Sequence, residues 1–106
     1  MAVDGETLDR VRRVLAGRPD VEEKRMVGGR SFGVGGRLAC GVSAGGLVVR
    51  VGRGGAAAAL AEPHVSPLRM GGRTADGFVV VAPAGCADDA ALLRWIDVGF
   101  AAAGRV

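Results

Sequence analysis

The chain has 106 residues, of which 49% are apolar and 24% charged, with one tryptophan, three phenylalanines and no tyrosine. A chain of this length buries one hydrophobic core, so we expect a single domain over residues 1–106. No apolar run approaches the ~20 residues of a membrane-spanning helix. The first residues show neither a secretory signal nor a lipidation motif. We therefore expect a cytoplasmic protein with no membrane partner.

The two cysteines, Cys40 and Cys86, form no Cys-x-x-Cys pair. In a chain without export signals, such cysteines are typical of buried thiols that pack as small apolar side chains. A disulfide between them is the less favoured alternative. His64 is the single histidine and has no second ligand at metal-binding spacing. We predict no metal and no cofactor.

The net charge of +3 is unevenly distributed. Residues 24–73 carry eight basic residues against Glu62 alone, whereas both ends of the chain are net acidic. These arginines could bind an anion or a nucleic acid if they shared one surface. The candidate binding residues are Arg25, Arg30, Arg37, Arg50, Arg53 and Arg73, with Arg69 beside them. Solvated arginines at strand edges are the simpler interpretation, and only Phe32 in this region could stack on a base.

The first predicted element is an amphipathic helix over residues 4–17. Asp4 can cap it, Leu8, Val11 and Leu15 share one face, and Gly17 marks its end. From Lys24 the apolar period changes to two. Glycine pairs then separate short runs at residues 25–27, 31–34, 37–43 and 47–51. This pattern predicts four antiparallel strands joined by tight turns.

Alternation along these strands assigns side chains to two sheet faces. Every second residue of these strands points to the predicted core face: Leu38, Cys40, Val42, Leu47, Val49 and Val51. The opposite face carries Ala39, Gly41, Ser43, Val48 and Arg50. The large core side chains are expected to be Phe32, Phe78, Trp95 and Phe100.

The second half of the chain predicts two more helices with strands between them. A short alanine helix spans residues 56–61 and ends before Pro63; an edge segment follows at 68–70, and an apolar strand at 78–82. Asp88 caps a last helix, in which Leu92, Ile96, Gly99 and Ala103 form one stripe. Strands grouped between terminal helices indicate an α+β fold: an antiparallel meander sheet with N-terminal, short central and C-terminal helices on one side.

Three motifs suggest enzymes, but their context argues against that interpretation. Gly41-Val42-Ser43-Ala44-Gly45 matches a hydrolase nucleophile motif, yet a hairpin rather than a helix is predicted after Ser43. The segment 52–57 resembles a dinucleotide-binding loop, but its helix is too short for a parallel crossover. Asp88 and Asp89 fit helix capping better than acid-base chemistry. We expect no enzymatic activity.

A family resemblance extends over most of the chain. The run Glu23-Lys24-Arg25-Met26-Val27-Gly28-Gly29, followed by Phe32, resembles the N-terminal domain family of TfoX. Gly77-Phe78-Val79 and Leu93-Arg94-Trp95-Ile96 continue the similarity, whereas Val27 stands where the family commonly has phenylalanine. The resemblance implies a small α+β domain similar to secretion chaperones, and it supplies no catalytic residue.

Together these features predict a non-enzymatic binding or regulatory module. Residues 78–82 are apolar on both sides of their strand, and Val48 places an apolar side chain on the same face as Arg50. Three short helices cover one face of the sheet more easily than both faces. We therefore expect a homodimer formed through a sheet face or edge. A further protein partner is compatible with the pattern. The alternative function is a regulator that binds DNA or an anionic ligand through the basic central sheet.

Overall fold

A computed structural model describes residues 5–26 and 28–104. Within these ranges the helices are α1 (Gly5–Leu15), α2 (Ala56–Leu60) and α3 (Asp89–Gly104). The strands are β1 (Glu22–Met26), β2 (Gly29–Val34), β3 (Arg37–Ser43), β4 (Gly46–Arg50), β5 (Val65–Met70) and β6 (Arg73–Val81). The predicted α+β fold is confirmed. The predicted cap Asp4 and the strand residue Val27 lie outside the described residues.

The six strands form one antiparallel sheet in the order β1-β2-β3-β4-β6-β5. The first four strands make the predicted meander, and the pairing of Ser43 with Gly46 shows that the chain reverses between them. β6 then pairs with β4, and β5 lies outside β6. The two sheet edges are therefore β1 and β5, and residues 68–70 lie on an edge as predicted.

The helices cover one face of this sheet and enclose the core with it. Phe32 and Trp95 are each 2% exposed within a cluster to which α1, α2, α3 and the strands all contribute. Phe78 is not part of this cluster, because it lies opposite Arg50 on the other face. Phe100 is only partly buried at the cluster's margin. The expectation that all four large aromatic side chains contribute to the core was therefore wrong for Phe78, whereas Phe100 packs against the core while partly exposed.

α3 lies close to the sheet because it carries a glycine where it crosses β3. A Cβ atom at Gly99 would overlap the Ala39 carbonyl and lie 3.6 Å from the Cβ of Cys40. The rest of the predicted stripe, Leu92, Ile96 and Ala103, is buried. Asp88 caps α3 as predicted, since its carboxylate accepts a hydrogen bond of 2.7 Å from the backbone N–H of Ala91.

α1 is attached through apolar side chains and through arginines. Leu8, Val11 and Leu15 enter the core cluster. Arg10 donates to the carbonyl of Cys86 at 2.9 Å, and Arg18, which follows the helix, forms an ion pair of 2.8 Å with Asp97 of α3. α1 and α3 thus form one layer beside the sheet.

Five of the six strands begin earlier than predicted, and β1 and β6 show the reasons most clearly. β1 starts at Glu22 because an edge strand can be charged, and charged residues hide the apolar alternation. β6 starts at Arg73, whereas the apolar pattern indicated residue 78; residues 73 and 74 pair only with β5. Over residues 5–26 and 28–104, no helix combines the length and hydropathy needed to cross a membrane.

Candidate functional site

The sheet face away from the helices is lined by apolar side chains at its centre. On β4 and β6, Val48 pairs with Val80, and Arg50 pairs with Phe78, so these four side chains point to the same side. Gly41 of β3 lies opposite Val48 and continues this surface. We call this side the open face.

A β-bulge in β3 changes the face on which Leu38 lies. The alternation of apolar residues had assigned this side chain to the core. In the β2–β3 pair Phe32 lies opposite Cys40 and Gly33 lies opposite Leu38, so Ala39 is an extra residue. One extra residue reverses the direction of the side chains that precede it. Leu38 therefore lies on the open face beside Val48, which corrects its predicted core position.

A groove of about 700 Å³ runs over the open face. Its walls are the two edges of the sheet: Met26 and Gly28 come from the β1 side, and residues 68–71 come from the end of the β5–β6 hairpin. The hairpin thus reaches across the open face. Val48, which also borders the groove, is 0% exposed although it lies on the face away from the helices.

Gly41 lets the β1 side approach the floor of the groove. A Cβ atom at this position would lie 3.1 Å from the terminal methyl of Met26 and 2.7 Å from the carbonyl oxygen of Arg30. A glycine within a strand often marks such a close approach. The Met26 side chain consequently packs against β3 and forms part of the groove.

The groove contains few polar side chains, and each of its two serine hydroxyls makes one hydrogen bond to the backbone. Ser31 donates to the carbonyl of Lys24 at 3.3 Å, and the Ser43 hydroxyl accepts from the backbone N–H of Gly45 at 3.3 Å. Arg69 is the charged residue in the lining, and along β5 its side chain alternates with those of Leu68 and Met70. Among residues 5–26 and 28–104, its guanidinium has no ion-pair or hydrogen-bond partner. The lining of the groove is therefore mainly apolar.

A family model matches residues 13–103, which is most of the chain; its description is the TfoX N-terminal domain. The chain belongs to the TfoX N-terminal domain family. No curated protein and no solved structure matches it. Two residues of the stretch that carries the TfoX resemblance, Met26 and Gly28, line the groove. Glu23, from the same stretch, instead binds Arg12 and Arg30 on the helix side.

Three of the six candidate arginines of this TfoX-type domain contact other parts of the chain. Arg30 forms an ion pair of 2.9 Å with Glu23, and Arg37 donates to the carbonyl of Ala103 near the end of α3 at 3.0 Å. Arg50 donates to the carbonyl of Leu38 and lies 4.8 Å from the centre of the Phe78 ring. These three guanidinium groups therefore make contacts within the domain.

The other three candidates are exposed at separate places. Arg25 lies on edge strand β1 opposite Arg30, Arg53 lies in the 3-10 turn before α2, and Arg73 begins β6. Arg30 shares the helix side with Val42, whereas Arg50 is on the open face. The structure thus brings Arg25 and Arg30 together but does not gather the six on one surface. Their binding of DNA or another anion stays a prediction.

The two glycine-containing motifs that resemble enzyme motifs adopt the local structures predicted for them, a hairpin and a short helix. Ser43 ends β3 in a tight hairpin, and the segment after Gly52 forms one 3-10 turn and a five-residue helix. His64 is exposed in a loop with φ 67°. Within the described ranges, no three His, Cys, Asp or Glu side chains lie together as metal ligands would.

Both cysteines are free thiols and buried, which confirms the burial predicted for Cys40. Burial raises the pKa of the Cys40 thiol to about 12, and the nearby Arg18 opposes this rise only in part. The thiolate is the reactive form, so Cys40 is protected at neutral pH.

Sequence reasoning missed most groove residues. Met26 belongs to the run that carries the family resemblance, but that run suggested no groove. Leu68 carries no motif, and Met70 is an isolated apolar residue before a glycine pair. The one usable signal was Gly41 within a strand pattern. The groove forms between residues of the β1 side and residues at the end of the β5–β6 hairpin. Local sequence does not encode how these distant segments are placed.

Proposed function

We propose that this TfoX N-terminal domain is a non-enzymatic binding module that acts through the open face. The observation that carries the proposal is the apolar groove of about 700 Å³ between the two sheet edges. Binding sites are concave and mostly apolar, with a few polar groups that orient the occupant. The groove has a mainly apolar lining, to which Ser31 and Ser43 add hydroxyl groups.

The module self-associates, with a second copy placed against the open face. Met70 at the groove is 50% exposed, which is a large exposed fraction for an apolar side chain. The edges are poor alternatives for this contact. Pro67 and a register irregularity interrupt β5, and three of the five β1 side chains are exposed, so neither edge favours a new strand. This support favours a face-to-face homodimer over an edge contact.

The two buried free thiols support a reducing compartment, and we include a cytoplasmic location in the proposal. A regulatory role would follow if a ligand or partner changed this self-association.

Sedimentation equilibrium of the wild type, Met70→Asp and Leu93→Asp tests the proposal. Leu93 is a matched control, since it is 42% exposed but lies on the outer side of α3. We expect the wild type and Leu93→Asp to form dimers at ~100 μM, and Met70→Asp to sediment as a monomer. A monomeric wild type at this concentration would contradict the self-association, as would a dimer that only Leu93→Asp disrupts.

A further inference from the structure

We propose that the helix side of β1 and β2 binds the phosphate group of a phosphomonoester through Arg25 and Arg30, with Arg12 of α1 beside them. This inference goes beyond the proposed function and concerns the opposite face of the sheet. Three observations support it. Two of the arginines are cross-strand neighbours, Glu23 orients two of them, and the cluster has a surplus of two positive charges.

Strand pairing places Arg25 and Arg30 side by side. They lie directly opposite each other in the antiparallel β1–β2 pair, and Arg30 in turn lies opposite Val42, a residue of the core. Directly opposite side chains project to the same face, with Cβ atoms ~4.5–5.5 Å apart. Like charges at such positions destabilise a sheet, and an anion between the two guanidinium groups would remove this repulsion.

Glu23 orients two of the three guanidinium groups. Its Oε2 atom accepts hydrogen bonds from Nη2 of Arg12 at 2.7 Å and from Nε of Arg30 at 2.9 Å, so both arginines converge on one oxygen atom. The hydrogen bond from Arg12, and then that from Arg30, lowers the pKa of Glu23, so its carboxylate is charged at neutral pH. Side chains that are already held in place lose less conformational freedom when they bind a ligand.

The cluster retains unused hydrogen-bond donors. Within residues 5–26 and 28–104, Arg30 donates only its Nε–H, and the exposed Arg25 makes no hydrogen bond or ion pair. A guanidinium group presents its donors in a planar fork that matches the oxygens of a phosphate group. The cross-strand pairing thus puts two such forks within reach of one phosphate group.

The charge of the cluster selects a phosphomonoester. Three arginines and one glutamate leave two positive charges without a counter-charge in the cluster. A phosphomonoester carries a charge of about −1.5 to −2 at neutral pH and has three acceptor oxygens. Each phosphate of a nucleic-acid backbone carries a single negative charge, as does a carboxylate. Only the monoester therefore balances the surplus with one group.

A ¹⁵N NMR titration with methyl phosphate tests the inference, and dimethyl phosphate is the matched diester. Both are added at constant ionic strength and at about pH 7.5, where the monoester is mainly a dianion. We expect saturable shifts of the Nε–H signals of Arg25 and Arg30 with methyl phosphate, and binding of the diester that is at least about fivefold weaker. Equal binding of the two compounds, or no saturable shift at these arginines, would overturn the inference.

Two further probes identify the source of the phosphate group. Tighter binding of a short phosphoserine peptide than of methyl phosphate indicates a phosphorylated protein segment, whereas equal binding indicates a small phosphomonoester. Either result supports the site. Binding of duplex DNA that depends on Arg25, without binding of methyl phosphate, would overturn the proposal in favour of a nucleic-acid backbone.

Arg25→Gln and Arg53→Gln form a matched pair of variants. Both arginines are exposed, but Arg53 lies in the 3-10 turn before α2. We expect Arg25→Gln to weaken methyl phosphate binding about fivefold or more, in keeping with the loss of an exposed ion pair, and Arg53→Gln to change it little. Urea denaturation checks the fold, and we expect Arg25→Gln to be at least as stable as the wild type because the repulsion from Arg30 is removed. Equal effects of the two substitutions on binding would overturn the assignment of the phosphate group to this cluster.

Discussion

Val48 and Val49 are neighbours on β4, and each is 0% exposed, yet they lie on opposite faces of the sheet. Val49 belongs to the core cluster that the helices enclose. Val48 lies on the open face and borders the groove. Equal burial therefore arises from two kinds of packing, of which only the second leaves space for another molecule.

The helix-covered face tolerates little change in volume, and Gly99 provides the largest expected effect. Gly99→Ala places a methyl group against the Ala39 carbonyl, so α3 must move away from β3. We expect a loss of about 2–3 kcal/mol in the free energy of unfolding, although alanine favours helices. Urea denaturation measures this loss.

Gly104→Ala is the control, because nothing lies within 4 Å of its added Cβ atom. We expect it to be neutral or slightly stabilising. If Gly99→Ala were as stable as the wild type, the close contact between α3 and the sheet would not exist.

The two valines provide the direct comparison of the faces. Val49→Ala removes two methyl groups from close-packed surroundings, and we expect a loss of about 2 kcal/mol. Val48→Ala removes the same atoms beside an existing groove, so fewer contacts are lost, and about 1 kcal/mol is expected. Urea denaturation of both variants tests the comparison. A larger loss for Val48→Ala would show that the open face is packed as tightly as the core.

Arg50 shows whether an arginine of the open face serves stability. Its guanidinium binds the Leu38 carbonyl and covers the Phe78 ring. We expect Arg50→Ala to lower the free energy of unfolding by about 1 kcal/mol, and Arg53→Ala, at an exposed position, to leave it unchanged. If Arg50→Ala left the free energy of unfolding unchanged, Arg50 would have no role in stability and would again be a candidate for anion binding.

The smallest effect is a pH dependence on the helix side. Hydrogen bonds from Arg12 and from Arg30 lower the pKa of the Glu23 carboxylate below its ordinary value of 4.5. The folded state therefore gains stability above the pKa of the unfolded chain, and this gain is lost as the pH falls through the lowered pKa.

Denaturation between neutral pH and the region below 4.5 measures this contribution. We expect Glu23→Gln to remove a small part of the pH dependence, of the size that surface ion pairs provide. Glu22→Gln, at the exposed neighbouring position, should keep that part. Identical pH profiles for the two variants would contradict a role for the Glu23 ion pairs.

The sequence predicted the elements that depend on local patterns. The stripe from Leu92 to Ala103 gave α3, and glycine pairs with alternating apolar residues gave the strands from β2 to β4. The bulge at Ala39 was not predictable, because a single extra residue leaves no sign in the alternation, and it moved Leu38 to the other face.

Features that depend on distant parts of the chain were predicted least well. The start of β6 is hidden because Asp76 and Gly77 weaken the strand pattern there. The basic residues of the central region form no single surface, since alternate positions of a strand face opposite sides. The groove requires β1 and β5, which are distant in sequence, to face each other.

Concentration-dependent fluorescence at two engineered cysteines tests most directly whether the open face is the binding face. Ala44→Cys at the groove and Ala101→Cys on the outer side of α3 each replace an exposed alanine, and the natural thiols are buried. Each variant carries a polarity-sensitive dye. From about 1 to about 100 μM protein, we expect a blue shift for the dye at position 44 and constant emission at position 101. Constant emission at both positions, or a shift only at position 101, would contradict the proposed role of the open face.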